Sequence, residues 1–321
     1  MSDSSKRINS MSDSSKRINR RKRGKDFIRD WRLYVFILPA VVYTALFCYK
    51  PMYGILIAFK KYSIRKGILG SPWVGFDNFK RIFSSYWFPY ILRNTVVISG
   101  LDLLICFPLP IILALLLNEL RSAKFRGTVQ TVSYAPHFIS TVVMCGMVSM
   151  FLSPSTGIIN RLIVALGGEK VAFLQIPSAF KWIMTLSGVW QSVGWGSIIY
   201  FAALAGVDRS LLEAAEVDGA SRMQKIWHIN IPEILPTTIM MFILRCGSIL
   251  SVGYEKVYLL QNDLNLTSSE VISTYVYKVG LEQSDFAYST AVGLFNTVVN
   301  CIFILSANAI SKKVAKVGLF S

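Results

Sequence analysis

Six apolar runs dominate this chain and restrict what it can fold into. They cover about Leu33–Phe59, Asn94–Leu117, Val129–Leu152, Trp182–Leu204, Ile234–Gly253 and Tyr288–Ile310. A helix of about 20 residues crosses a hydrocarbon core of roughly 30 Å, and each run has about that length. Backbone in lipid must satisfy its own hydrogen bonds, which a helix does. The expected fold class is therefore an all-α membrane protein with six transmembrane helices. Trp31, Tyr34, Trp182, Tyr254 and Tyr288 stand near run ends, where amphipathic rings settle at the membrane interface.

Composition agrees. With 53% hydrophobic and 16% charged residues, a chain in water could not both bury its apolar surface and keep a polar exterior. The formal net charge of +16 suggests nucleic acid, but eleven of the 34 lysines and arginines precede Leu33. That is the ordinary positive-inside arrangement ahead of a first span, and no nucleic-acid partner is expected. With six spans both termini share one side. That side carries 20 lysines and arginines against 12 on the other, so both termini are expected in the cytoplasm. Residues 60–93 hold seven of the 12, in a loop long enough to weaken the rule without cancelling it.

Two domains are expected: a basic, disordered cytoplasmic tail at 1–30 and a transmembrane domain at 31–321. The tail repeats MSDSSKRIN at 1–9 and 11–19, which reads as a duplicated start or a cloning scar. No short apolar core with a small-residue cleavage site follows, so it is not read as a signal peptide. Cys48, Cys106, Cys145, Cys246 and Cys301 all lie inside apolar runs without a Cys-x-x-Cys pair, as small buried apolar residues do. His137 and His228 are the only histidines, so no metal site is expected.

One stretch breaks the pattern: LLEAAEVDGASRMQKIWHINIP, residues 211–232, between the fourth and fifth runs. Ser210 and Glu213 have capping-box spacing, so a helix is expected from Leu211. Gly219 after Asp218 suits the positive φ that ends a helix. Ser221 can cap a second short helix through Ile229, with Pro232 and Pro236 breaking it before the fifth span. The product is a helix–Gly–helix elbow. By itself it fits either a docking surface or an amphipathic linker lying on lipid.

The spacing resembles the EAA motif of binding-protein-dependent ABC importer permeases. Glu213-Ala214-Ala215 is followed after three residues by Gly219, and nine residues later by Ile229-Asn230-Ile231-Pro232, with Ile231 in place of the family's Leu. The resemblance implies the type I ABC importer permease fold. It makes 207–236 a cytoplasmic coupling loop that docks into a separate ATPase. Glu213, Ala214, Ala215, Asp218, Gly219, Ile229 and Pro232 are its ATPase-coupling residues. The chain itself has no phosphate-binding loop: its one Gly-Lys pair, Gly24-Lys25, has Asn19 where the first Gly should stand. It is thus read as a transport subunit and not an enzyme, without a cofactor of its own, with ATP and Mg on partner subunits.

The segments YKPMYGILIAF (49–59), LRNTVVIS (92–99), ILALLLNEL (112–120), VQTVSYAPHFIS (129–140), STYVYKVGL (273–281) and STAVGLFNTVVN (289–300) resemble the oligosaccharide branch of maltose-type permeases. That branch imports plant- and alga-derived oligosaccharides, including acidic pectin and alginate fragments. The implied partners are a second homologous permease subunit, two ABC ATPase subunits, an extracytoplasmic solute-binding protein, the oligosaccharide and the lipid bilayer of the bacterial cytoplasmic membrane.

Ionisable residues in spans mark pairs or pathways, since a centred charge costs roughly 2.5–3.5 kcal/mol. Three stand out: Lys50, Asp102 and Arg245. Asp102 can pair with Arg245 or Lys50, or a leftover positive charge can line a path for an acidic sugar; Lys50 can also snorkel. Polar stripes at helical spacing are Ser133, His137 and Thr141; Ser187, Gln191 and Trp195; and Gly293, Asn296, Asn300 and Asn308. Such stripes glue helices or line a sugar path, with Trp190 and Trp195 stacking on sugar faces. The pathway candidates are Arg245, Gln191, Trp195, Asn296 and Asn300. LQNDLNLTSSE, 260–270, is expected to face an incoming binding protein.

Two other classes compete. An ion-gradient-driven carrier independent of an ATPase would need no docking elbow, and it would usually show an internal repeat that is not seen. A membrane enzyme would need a Gly-x-Ser-x-Gly elbow, a His-rich metal signature or a carboxylate pair, and none is found.

Overall fold

The computed structural model describes residues 31–319; the expected tail at 1–30 lies outside the described residues. The described residues divide into two compact units, one ending at Leu56 and the other beginning at Ile57.

In the first unit, α1 (Trp31–Tyr43) runs into a wide π-turn, Thr44–Tyr49, a short helical turn, Lys50–Met52, and a 3-10 stretch that begins at Tyr53. Pro51 does not end the helix. The Lys50 N–H bonds the Ala45 carbonyl, five residues back. A proline lacks an N–H, and its ring crowds the carbonyl one turn earlier; a wide turn just ahead of it relieves that crowding. The device recurs. π-turns at Asp102–Cys106 and Ile226–Asn230 each stand one residue ahead of a proline, Pro108 and Pro232.

In the second unit, α2 (Asp77–Ser84) leads to α3 (Phe88–Leu101), which continues through the Asp102–Cys106 π-turn into α4 (Pro108–Asn118). Then follow α5 (Ala123–Tyr134), α6 (Thr141–Leu152), α7 (Ile158–Ala165) and α8 (Pro177–Leu204). The elbow helices are α9 (Arg209–Val217) and α10 (Arg222–Lys225), and α11 (Ile231–Cys246) comes next. The chain closes with α12 (Tyr254–Leu260), α13 (Ile272–Tyr277) and α14 (Phe286–Ala315). The described residues contain no strand, only an isolated bridge between Lys60 and Trp73.

Four helical stretches among the described residues are long and apolar enough to cross a membrane: Trp31–Phe59, Phe88–Asn118, Arg222–Cys246 and Phe286–Ala315. A bent pair, Ala123–Phe138 with Thr141–Leu152, makes a fifth if it is one span. Its limbs meet at 102°, so the expected straight third span is broken. Pro136 sits in the 3-10 turn Ala135–Phe138, and Ser140 starts a new helix by accepting the Val143 N–H at 3.4 Å. Thr141 therefore does not continue the face of Ser133 and His137.

The expected fourth span falls on α8, 28 residues and about 42 Å long, which is not one of the stretches apolar enough to cross a membrane. One side of it packs against protein, while Trp182, Trp190 and Trp195 are exposed. Thr185, Ser187, Gly194 and Ser197 are buried, and a Cβ on Gly194 would fall 2.0 Å from the Ser133 carbonyl oxygen on α5. Small residues allow that approach. The expected fifth run also stops early. Its helix ends at Cys246, and the Asn300 side chain on α14 accepts the Leu250 N–H at 3.0 Å and donates to the Ser251 hydroxyl at 3.1 Å. A polar group from another helix satisfies backbone that an apolar run would otherwise have kept helical.

Three apolar clusters hold this unit together. One gathers Ile82, Ile91, Leu250, Ile272 and Val292; another Ile98, Cys145, Phe180, Met184 and Val257; the third Ala114, Leu115, Tyr200, Leu204, Val207 and Ile234.

Candidate functional site

The elbow is built from local rules. α9 starts at Arg209, two residues earlier than expected, because Asp208 is the cap: its carboxylate accepts the Ser210 N–H at 2.9 Å. That bond holds the Asp208 carboxyl below its ordinary range. At the other end Gly219 takes φ +77°. The Ala220 N–H reaches the Ala215 carbonyl at 2.8 Å and the Gly219 N–H reaches the Glu216 carbonyl at 3.0 Å. This is the Schellman pattern, which needs a left-handed residue at that position. Asp218 is the last residue before it.

Ser221 caps α10 as expected, and Gln224 returns the bond. The Ser221 hydroxyl accepts the Gln224 N–H at 3.4 Å, and the Gln224 side-chain Oε1 accepts the Ser221 N–H at 2.7 Å. Lys225 then bridges back to Glu216 at 2.5 Å. Lys225 holds the Glu216 carboxyl below its ordinary range. The expected break at Pro232 does not occur. Through the π-turn at Ile226–Asn230 the second arm runs unbroken into α11, 25 residues from Arg222 to Cys246.

The elbow has two faces. Leu212, Ile226, Ile229 and Ile231 pack against the cluster of Ala114 and Leu115 on α4, Tyr200 and Leu204 on α8, and Ile234 on α11. Glu213, Ala214, Asp218, Gly219 and Pro232 are exposed, Ala215 is half-buried, and Val217 at the tip is 88% exposed. The inner face of the elbow thus packs on three long helices at once. Asn230 lies beneath, 1% exposed.

The second feature is a cavity of about 330 Å³ with a mixed lining: Ser99, Asp102, Thr185, Arg245, Ser248, Ser251 and Lys256 beside apolar residues such as Ile98, Met184 and Val252. Arg245, expected mid-span, sits in the last turn of α11, where the helix dipole favours a cation. Its guanidinium pairs directly with Asp102 in the π-turn between α3 and α4. Asp102 has thus taken Arg245 as its partner, and the wide turn presents it. A neighbouring cavity of about 330 Å³ shares Arg245 and Ser248 and adds Ser192, Trp195 and Tyr200.

The other pathway candidates fall differently. Trp195 lines the second cavity and stacks on His137, centroids 4.5 Å apart and planes within 3°. Gln191 donates to the Ile139 carbonyl at 3.2 Å, bracing the bend between α5 and α6. Asn300 holds residues 250 and 251 and lines neither cavity, and Asn296 lines neither. The carboxamide oxygen of Asn296 is shielded without a hydrogen-bond partner.

Sequence reasoning missed Lys256. It lies just beyond the fifth apolar run, and its ammonium donates to the Met184 carbonyl at 3.3 Å inside the first cavity. The signal was present: Val257 and Leu260 are apolar residues three apart and both buried, the mark of a packed helix rather than a loop. The stretch 260–270 likewise turns inward. Asn265, Ser269 and Glu270 are buried. Asn94 donates to the Thr267 and Glu270 carbonyls at 2.9 and 3.1 Å, and Lys278 pairs with Glu270 at 2.6 Å. Asp263, Leu264 and Thr267 remain exposed.

Residues 107–316 match the family described as binding-protein-dependent transport system inner membrane component. The chain is 46% identical over 292 residues to Protein LplB of Bacillus subtilis, covering 91% of this chain and 92% of that one. It is 45% identical over 293 residues to the polygalacturonan/rhamnogalacturonan transport system permease protein YteP of the same species, covering 91% of each. Among solved structures it superposes with a TM-score of 0.85 and 42% identity on a chain from a bacterial ABC transporter involved in the import of the acidic polysaccharide alginate, covering 90% of this chain and 98% of that one. A second structure, of a bacterial alginate ABC transporter in complex with an alginate pentasaccharide-bound periplasmic protein, also gives 0.85. The expected type I ABC importer permease fold is the fold observed.

Proposed function

We propose that this chain, which belongs to the binding-protein-dependent transport system inner membrane component family, is a membrane subunit of an ATP-driven importer of acidic oligosaccharides. The elbow carries the reading. Its inner face touches α4, α8 and α11, its outer face is free, and Gly219 and Ser221 fix the angle between its arms.

In this reading both termini and the elbow lie in the cytoplasm, as the excess of lysine and arginine on that side supports. Glu213, Ala214, Ala215, Asp218 and Gly219 meet an ATPase subunit; Ile229 and Pro232 join the elbow to α11. A second homologous permease completes the pore, and a solute-binding protein delivers substrate from outside. ATP binding draws two ATPases together, the elbows follow, and the ends of α4, α8 and α11 move with them. The cavities around Arg245 and Trp195 then open to the outside, and hydrolysis resets them. This chain does no covalent chemistry. Acidic substrates fit a cavity whose lining carries two cations and one anion, and they agree with the polygalacturonan and alginate systems among the similar proteins.

The test is a mild-detergent purification of the chain from its own cells, with ATP hydrolysis assayed on the eluate and a parallel Gly219→Pro sample. Co-purification of an ATPase and a second permease, with hydrolysis lost in the variant, is expected. A folded chain that emerges alone and takes up sugar on an ion gradient overturns the reading.

A further inference from the structure

The structure assigns to Lys256 the recognition of a substrate carboxylate in the cavity between α8 and α11, an inference that rests on the acidic-substrate reading above. Three charged groups line this cavity: Asp102, Arg245 and Lys256. Asp102 and Arg245 form an ion pair with each other, so their charges cancel locally. Lys256 makes no ion pair among the described residues; its ammonium donates to the neutral Met184 carbonyl, 3.3 Å away. The cavity therefore keeps one uncompensated positive charge.

Holding such a charge among protein groups is costly unless a counter-charge arrives. The fold nevertheless pins it in place. Lys256 stands on α12, which Val257 at 0% and Leu260 at 2% exposure anchor in the core. The Cys145 thiol lies 3.9 Å from the Lys256 carbonyl as a weak donor. A long flexible side chain on a fixed helix, with two ammonium donors beyond the one given to Met184, fits a carboxylate that comes and goes. Ser99, Thr185, Ser248 and Ser251 line the same cavity, and hydroxyl oxygens can accept from sugar hydroxyls. The volume, about 330 Å³, is at the small end of ligand sites of roughly 300–1,000 Å³. The chemistry selected is a uronate unit of an oligosaccharide.

The complete importer, with its ATPase and binding protein, is reconstituted in proteoliposomes and given oligogalacturonate. Lys256→Met is expected to lower ATP-driven uptake about tenfold or more at equal complex yield, and Lys256→Arg to keep it within about threefold. Normal uptake by Lys256→Met overturns the assignment. An equal loss in both variants does so too, because a cation at this position then fails to support uptake. If Lys256→Met does not assemble, the unmodified complex is cycled with carbodiimide-activated oligogalacturonate and digested. An amide adduct on the Lys256 peptide supports the assignment, and adducts on other lysines alone overturn it. Wild-type uptake of neutral galactan oligomers but not of oligogalacturonate defeats the acidic-substrate reading, and the role of Lys256 falls with it. Normal oligogalacturonate uptake by the variant defeats the role of Lys256 alone.

Discussion

Glu216 and Lys225 close the elbow across its bend, carboxylate to ammonium at 2.5 Å. Glu216 is on α9 and Lys225 on α10, so the contact braces the angle that Gly219 sets. Lys225→Met is expected to raise amide hydrogen exchange over 209–225 at neutral pH. The sign of the pH effect follows from the lowered Glu216 carboxyl. The contribution is complete above the ordinary carboxylate pKa and disappears as pH falls through the lowered folded value. Wild type and variant should therefore converge in acid. Equal exchange at neutral pH would show that the bridge braces nothing.

Gly219 at φ +77° occupies a conformation that costs an alanine about 1 kcal/mol. Gly219→Ala is expected to weaken ATP hydrolysis stimulated by the loaded binding protein, and Gly219→Asn to weaken it less, because Asn tolerates this region. Equal activity in all three proteins would mean the bend does not transmit motion.

Asp102 and Arg245 should behave as a unit. Asp102→Asn or Arg245→Met alone leaves a charge without its partner. The double variant removes both and should be less unstable than the sum of the singles, by about 1–2 kcal/mol. Thermal unfolding of the detergent-solubilised chain reads this. Strict additivity would contradict the pair.

The sequence was most legible where structure is local. The elbow's bend, its Ser221 cap and its place between long helices follow from Gly219, Ser221 and the charges between two apolar runs. The pairing of Asp102 was foreseeable as a choice between two cations. Features settled by distant partners were hidden. The fifth run stays apolar to Gly253, but Asn300, fifty residues on, takes over its backbone. The apolar pair Val257 and Leu260 marks a helix at Lys256, but only Met184 of α8, distant in the chain, shows that its ammonium enters the cavity. Pro232 looked like a helix breaker because a one-residue signal does not show the wide turn that accommodates it.

Asn300 separates two roles. Asn300→Leu strands the Leu250 N–H and is expected to cost about 1–3 kcal/mol, seen as a lower melting temperature with uptake falling in step. Uptake lost at an unchanged melting temperature would move Asn300 to the substrate path.

The central claim is that the exposed tip of the elbow meets an ATPase. In a background lacking the natural cysteines, Val217→Cys is cross-linked in native membranes with a short bifunctional thiol–amine reagent. The expected product joins this chain to an ATP-binding subunit, with a yield that changes when ATP is added and is lost with Gly219→Pro. A chain that imports normally while residue 217 cross-links to no such subunit, with or without ATP, would contradict the account.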